Sequence, residues 1–309
     1  MIKIFKKLTI LMLLLIIVLG VKFIIDKKIN EINDEVITVN AGGDTVNSGT
    51  NPNSNNVANE EIKITNEEKE IQDKEEKTEE EVSYINLDVN EVRIPILMYH
   101  SISDSDPDNN LLVPINQFEE QVKWLTEEGF TPMLLDDVLQ SFNTGKVPER
   151  PVAITFDDGY ADNYTEAYRI LKEYNMKATF FIITDYIDVD GWYMNSNMLK
   201  EMSNNGMGIE NHTSMHIEFT NISREDKGLI IKEGMSKLRE KLGIESNFIC
   251  YPVGKYDDET IEVEKELGVK AAVTTENGIS SLSDGLYSLK RLRISPMNIE
   301  YFKSLFSDF

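Results

Sequence analysis

The stretch Thr155-Phe-Asp-Asp-Gly159 places two carboxylates side by side, directly after the apolar run Pro151-Val-Ala-Ile154. Like charges repel and burial disfavours the ionised form, so a nearby cation is the simplest device for keeping either carboxylate charged. The chain has three histidines, His100, His212 and His216. Two of them lie four positions apart in His-Thr-Ser-Met-His, a spacing that would bring both imidazoles to one side of a helical turn. One carboxylate added to that pair makes a two-histidine, one-carboxylate face with open coordination positions, suited to a divalent metal. Alone, either motif is more often incidental than catalytic.

What gives the motifs weight is where they fall. Short β-rich runs alternate with amphipathic helical ones. The strand candidates are Ile94–Tyr99, Val152–Phe156, Ala178–Ile183, Gly208–Asn211, Asn247–Tyr251, Ala271–Thr274 and Leu289–Ile294. Helices are expected over Gln117–Glu128, Leu135–Phe142, Asp162–Tyr174, Asn197–Asn204, Arg224–Leu242 and Asp258–Leu267, several of them stopped by a glycine. This alternation predicts an α/β fold with a parallel sheet, and pattern alone leaves a closed barrel and an open doubly wound sheet both standing. In either, the site belongs at the carboxyl ends of the strands. Tyr99-His100, Asp157-Asp158, Asn211-His212 and Tyr251-Pro-Val-Gly254 all follow predicted strands there.

Thr-Phe-Asp-Asp-Gly with His-Thr-Ser-Met-His resembles the polysaccharide deacetylases of the NodB homology type, the family 4 carbohydrate esterases. The resemblance spans about residues 91–309 and implies a deformed (β/α) barrel of about seven parallel strands. It implies metal-dependent removal of acetyl groups from a sugar polymer, with Asp158, His212 and His216 on the metal and Asp157 as general base. Zinc is the first choice of metal, and nickel, cobalt and iron suit the same donors. The family's third motif, Arg-x-Pro-Tyr-Gly, corresponds here to Cys250-Tyr-Pro-Val-Gly254, which implies the backbone N–H of Val253 as the oxyanion donor. The motif's arginine, which orients the base in the family, is missing. Arg291 or Arg293 could supply that charge, or each could be an ordinary surface cation. The family's late acid histidine is also missing, because nothing after His216 is a histidine. The sequence Met98-Tyr-His100 resembles the branch that deacetylates poly-N-acetylglucosamine, where the acid histidine comes first in the chain. That resemblance implies His100 as general acid, and poly-N-acetylglucosamine ahead of peptidoglycan as substrate. An O-acetyl esterase and a non-catalytic glycan binder are the alternatives. Trp192 and Tyr193 are equally suited to stacking on sugar rings and to packing.

The start of the chain carries a different message. Lys3, Lys6 and Lys7 precede an uncharged run, Leu8 to Val21, which resumes after Lys22 through Ile25. This is close to the roughly 20 residues that cross a bilayer, and the lysines favour a cytoplasmic start. Residues 1–29 are therefore expected to be a cytoplasmic tip and transmembrane anchor, with a cleaved signal peptide as the competitor. A polar, then Glu- and Lys-rich segment, residues 30–90, is expected to be a disordered linker. Residues 91–309 are expected to be the catalytic domain. On this reading the protein sits in the cell membrane as a single-pass protein with its catalytic domain outside. The net charge of −23 argues against nucleic acid as a partner, and the single cysteine excludes an internal disulfide framework.

Overall fold

The computed structural model describes residues 82–189 and 191–309, which lie within one compact unit, Thr78–Phe309. Numbering only the strands of the main sheet, in chain order, these are β1 (Ile96–Tyr99), β2 (Thr131–Met133), β3 (Pro151–Phe156), β4 (Thr179–Ile182), β5 (Gly208–Asn211), β6 (Phe248–Cys250), β7 (Ala271–Asn277) and β8 (Leu289–Arg293). The order β1-β8-β7-β6-β5-β4-β3, with β3 returning to pair with β1, closes a ring of seven strands, and every pairing is parallel. The strand β2 lies on the far side of β3, also parallel. It was not anticipated, because Gly129-Phe-Thr-Pro132 reads as a helix stop and turn. Pro132 is tolerable at this position because β2 pairs on only one side.

The strand sequences show why the sheet closes. Alternate residues face opposite ways. Ile96, Ala153, Phe181, Phe248, Cys250, Ala271, Val273 and Leu289 form one buried cluster contributed by six strands, the filling of the barrel. Their neighbours Leu97, Tyr99, Ile154, Phe156, Phe180 and Ile182 belong to a second cluster, which packs beneath the surrounding helices with Phe118, Val122, Leu199 and Leu238. Helix stops fall where glycine permits a left-handed residue: Gly243 ends Arg224–Leu242 with φ 76°. The helix expected over Asp162–Tyr174 is instead a π-helical segment, Asn163–Tyr168, running into an α-helix, Arg169–Glu173.

Two expectations are corrected here. Tyr84–Asn86 falls in the segment expected to be linker, yet it forms a strand antiparallel to Lys146–Pro148, so ordered structure begins before residue 91. The transmembrane anchor, membrane partner and single-pass topology have no support: among the described residues no helix is long and apolar enough to cross a membrane. The longest described helix, Arg224–Leu242, has 19 residues but carries Lys, Arg, Asp and Glu along its length. The segment proposed as the anchor, within residues 1–29, and most of the linker lie outside the described residues.

Candidate active site

The polar residues that follow the strands converge at one rim. Asp157 and Asp158 follow β3, and the chain must turn sharply to present both: Asp158 has φ 71° and Gly159 φ 80°. A side chain at Gly159 would meet Ile182 of β4 at 3.1 Å, which accounts for the glycine after the aspartates. Asp158 Oδ1 lies 3.3 Å from His212 Nε2 and 3.5 Å from His216 Nε2. Together these three residues form a cluster able to hold a divalent ion.

The histidine pair reaches this position by a route the spacing did not foresee. His212 follows β5, but residues 213–215 form a turn and no helix. Thr213 and His216 both adopt left-handed backbone, with φ 66° and 57°, and the His216 N–H donates to Thr213 Oγ1 at 2.9 Å. His212 Nδ1 lies 2.8 Å from the Cys250 carbonyl oxygen. A carbonyl only accepts, so Nδ1 carries the proton and the lone pair is on Nε2, the atom turned toward Asp158. That tautomer, one carboxylate oxygen and two imidazole nitrogens make a donor set that fits zinc or a similar divalent metal.

Asp157, 2% exposed, has a different environment. The Arg291 guanidinium, on β8 and fully buried, donates to both its oxygens, at 2.7 and 2.8 Å. Arg291 also donates to Thr155 Oγ1, to the Thr274 carbonyl and to Cys250 Sγ, tying β3, β6 and β7 together across the barrel. Burial alone would raise the pKa of Asp157, but the guanidinium outweighs it and holds the carboxyl well below the usual range. For Asp158 burial again opposes ionisation, and a protonated His212 outweighs it, a positive charge that a metal on Nε2 would supply instead. Asp157, His212 and Cys250 also offer ligand atoms close together. In that trio Arg291 already occupies both the carboxylate and the sulfur, so a second cation there would face a buried guanidinium. The Asp158 cluster is the metal candidate.

His100 follows β1, and its Nε2 lies 3.9 Å from Asp157 Oδ2. Burial lowers its pKa below 6.5, while Asp157 and Asp158 push it back up. Val253 lies in the short turn Pro252–Gly254 and has φ 48°, a conformation rare for a β-branched residue. The hydrogen bonds of this turn run from Gly254 N–H to Tyr251 O and from Lys255 N–H to Pro252 O, leaving the Val253 N–H out of them. Tyr160, Tyr193 and Tyr186 form a run of adjoining rings, with centroids 5.5 and 4.5 Å apart. Burial, then the charge of Asp158, raises the Tyr160 pKa. Trp192 stands beside this run at 79% exposure.

Of the two candidate arginines, the structure brings Arg291 to the site and leaves Arg293 exposed. Both share a face of β8 by parity, so only depth below the rim separates them, and depth is not written in the pattern. Asp162 and Asn163, which hydrogen-bond to the backbone around His100, are not among the residues the motifs single out. The polar density of Asp157-Asp-Gly-Tyr-Ala-Asp-Asn163 was their one signal.

The site is thus a cluster of two imidazoles and a carboxylate, able to hold a divalent metal, at the strand ends of a parallel barrel. The polysaccharide deacetylase family model matches residues 144–272. The chain is 38% identical over 205 residues to YxkH of Bacillus subtilis (strain 168), provisionally named a polysaccharide deacetylase, covering 66% of this chain and 72% of that one. It is 31% identical over 216 residues to the poly-beta-1,6-N-acetyl-D-glucosamine N-deacetylase of Staphylococcus aureus (strain MRSA252), covering 64% and 73%. The structure of the Streptococcus pyogenes deacetylase PplD in complex with acetate is similar with a TM-score of 0.67 and 33% identity, covering 69% of this chain and 98% of that one. The chain belongs to the polysaccharide deacetylase family, and it is a hydrolase.

Proposed function

We propose that the protein is a metal-dependent N-deacetylase acting on an N-acetylglucosamine polymer, with poly-N-acetylglucosamine as first substrate and residues 91–309 as the main part of its catalytic domain. The observation that carries this reading is the approach of two imidazole nitrogens to Asp158 Oδ1, at 3.3 and 3.5 Å, beside a second ionised carboxylate that faces a third imidazole. Asp158, His212 and His216 would hold the metal, zinc first. A divalent ion bound by such donors supplies an acidified water and polarises an acyl oxygen.

The remaining steps belong to the chain's own groups. Asp157 takes a proton from the attacking water. Arg291 keeps it ionised and oriented, and each carboxylate oxygen retains a lone pair beyond the one Arg291 uses. The Val253 N–H donates to the oxyanion as it develops. His100, as imidazolium, gives its Nε2 proton to the leaving amine. The choice of polymer draws support from the Staphylococcus aureus relative and from the early position of His100 in the chain.

The test is acetate and free-amine release by the full chain from poly-N-acetylglucosamine, peptidoglycan and acetylated xylan, with and without chelator. Chelator-sensitive release of equal acetate and amine from poly-N-acetylglucosamine, faster than from peptidoglycan, is expected. Acetate without amine, from xylan alone, would make the protein an O-acetyl esterase.

A further inference from the structure

We propose that Asp162 and Asn163 are positioning residues that fix the reach of His100 toward the leaving amine, a reading that rests on His100 as the general acid. His100 itself lies outside any regular element. It sits between β1 and a two-residue strand, Ser101–Ile102, so its aim depends on how that short connection is held. Ser101–Ile102 pairs with Leu112–Val113, and the Ser101 N–H donates to the Leu111 carbonyl at 3.2 Å; four further contacts come from the segment that begins with the paired aspartates. The Asp157 N–H donates to the Tyr99 carbonyl at 2.9 Å, just before His100. Asn163 Nδ2 donates to the carbonyl of His100 itself at 2.7 Å. Ser101 Oγ donates to Asp162 Oδ2 at 2.5 Å, and the Ile102 N–H donates to Asp162 Oδ1 at 3.2 Å. Asn163 Nδ2 also donates to Asp162 Oδ1 at 3.0 Å, which locks the two clamping side chains to each other.

Asn163 is fully buried, and its Oδ1 has no partner. Turning the amide over would set Oδ1 against the His100 carbonyl, two acceptors face to face, so the orphan is the consequence of aiming Nδ2 at His100. A buried polar atom left unsatisfied is unfavourable and calls for an explanation. Asn163 also opens the π-helical segment Asn163–Tyr168, an irregularity common at functional sites. Base and acid thus ride on one clamped strip: residues 157–163 carry Asp157 and grip the backbone before, at and after His100.

The chemistry separates positioning from simple stability. As the C–N bond of the acetamide adduct breaks, its electron pair leaves with the amine nitrogen, which takes the Nε2 proton of His100. An aryl acetate such as 4-nitrophenyl acetate expels a stable phenolate and needs no such proton. The variants are Asn163→Leu, which has nearly the same shape and no donor, and Asp162→Asn. Ser101→Ala is a milder change that removes a single bond should either of the others fail to fold. Each is assayed as the full chain, zinc-loaded, on N-acetylglucosamine oligomers and on the aryl ester, beside His100→Ala.

The expected result is a split. His100→Ala loses about 10²–10⁴-fold in kcat on the amide, and the clamp variants lose about tenfold, a part of that acid contribution. In all of them KM on the amide, zinc content and turnover of the aryl ester stay near wild type. Equal losses on amide and ester in the clamp variants, or no loss on either, would overturn the positioning role. If His100→Ala itself shows no split, the reading of His100 as the acid fails and this inference falls with it. A split in His100→Ala alone removes only the clamp.

Discussion

The guanidinium of Arg291 and the carboxylate of Asp157, 134 residues apart in the chain, meet in a paired, fully buried contact at 2.7 and 2.8 Å. Cys250 stands where the family's third motif has its arginine, and its sulfur lies 3.1 Å from the same guanidinium. A small residue on β6 and an arginine on β8 therefore keep a positive charge beside Asp157, the proposed base, with the charge delivered from a different strand.

Removing that charge leaves a buried carboxylate unpaired. Arg291→Ala should cost about 3–5 kcal/mol of stability, read as a lower denaturation midpoint at pH 7. Arg291→Lys keeps the charge but loses the two-pronged geometry. In this variant the pKa of Asp157 should rise, so the acidic limb of the rate profile should move to higher pH. Unchanged stability in the alanine variant, together with an unmoved acidic limb in the lysine variant, would show that the pair does not matter.

Glu264 should give the fold a pH dependence of its own. It is fully buried, its Oε2 contacts the Tyr251 hydroxyl at 2.7 Å, and its Oε1 has no partner. Burial pushes its pKa from 4.5 up to about 8. A carboxyl with a raised folded-state pKa binds its proton more tightly when folded. Its contribution to stability is therefore complete below about 4.5 and is lost as the pH rises through about 8. Thermal melts across that interval should show the wild type losing stability toward alkaline pH and Glu264→Gln losing distinctly less. Parallel curves would remove Glu264 as the cause.

Gly254 sets the turn that aims the Val253 N–H. It has φ +71°, and a Cβ there would lie 2.0 Å from Thr275 Oγ1 and 3.1 Å from the Thr275 backbone nitrogen. Gly254→Ala should destabilise by about 1–3 kcal/mol from left-handed backbone alone. If the displaced turn takes the oxyanion donor with it, kcat should fall about 10²-fold, with metal content unchanged. Full activity in a folded Gly254→Ala protein would free Val253 from the mechanism.

Most strands that build the barrel were legible as short apolar runs with turn residues after them, and Val152–Phe156 and Ala178–Ile183 show this most plainly. The short β2 was hidden by Pro132, whose one-sided pairing depends on tertiary context. The metal candidates were legible as residue types, yet the geometry of the histidine pair was not. The four-residue spacing suggests a helical turn, whereas left-handed backbone at Thr213 and His216 performs the convergence. Such conformations come from surrounding packing and leave no periodic trace. Arg291, Asp162 and Asn163 act through contacts more than fifty residues away in sequence, which a local pattern cannot reveal. The expected membrane anchor came from hydropathy within residues 1–29, and the described structure contributes no spanning helix to it.

The most direct test of the account is anomalous diffraction at the zinc edge from crystals of the zinc-loaded protein. The expected result is a single strong peak about 2.0–2.2 Å from Asp158 Oδ1, His212 Nε2 and His216 Nε2, which is absent in Asp158→Asn crystals. A fully zinc-loaded, active protein whose peak lies elsewhere, with these three side chains uncoordinated, would contradict it.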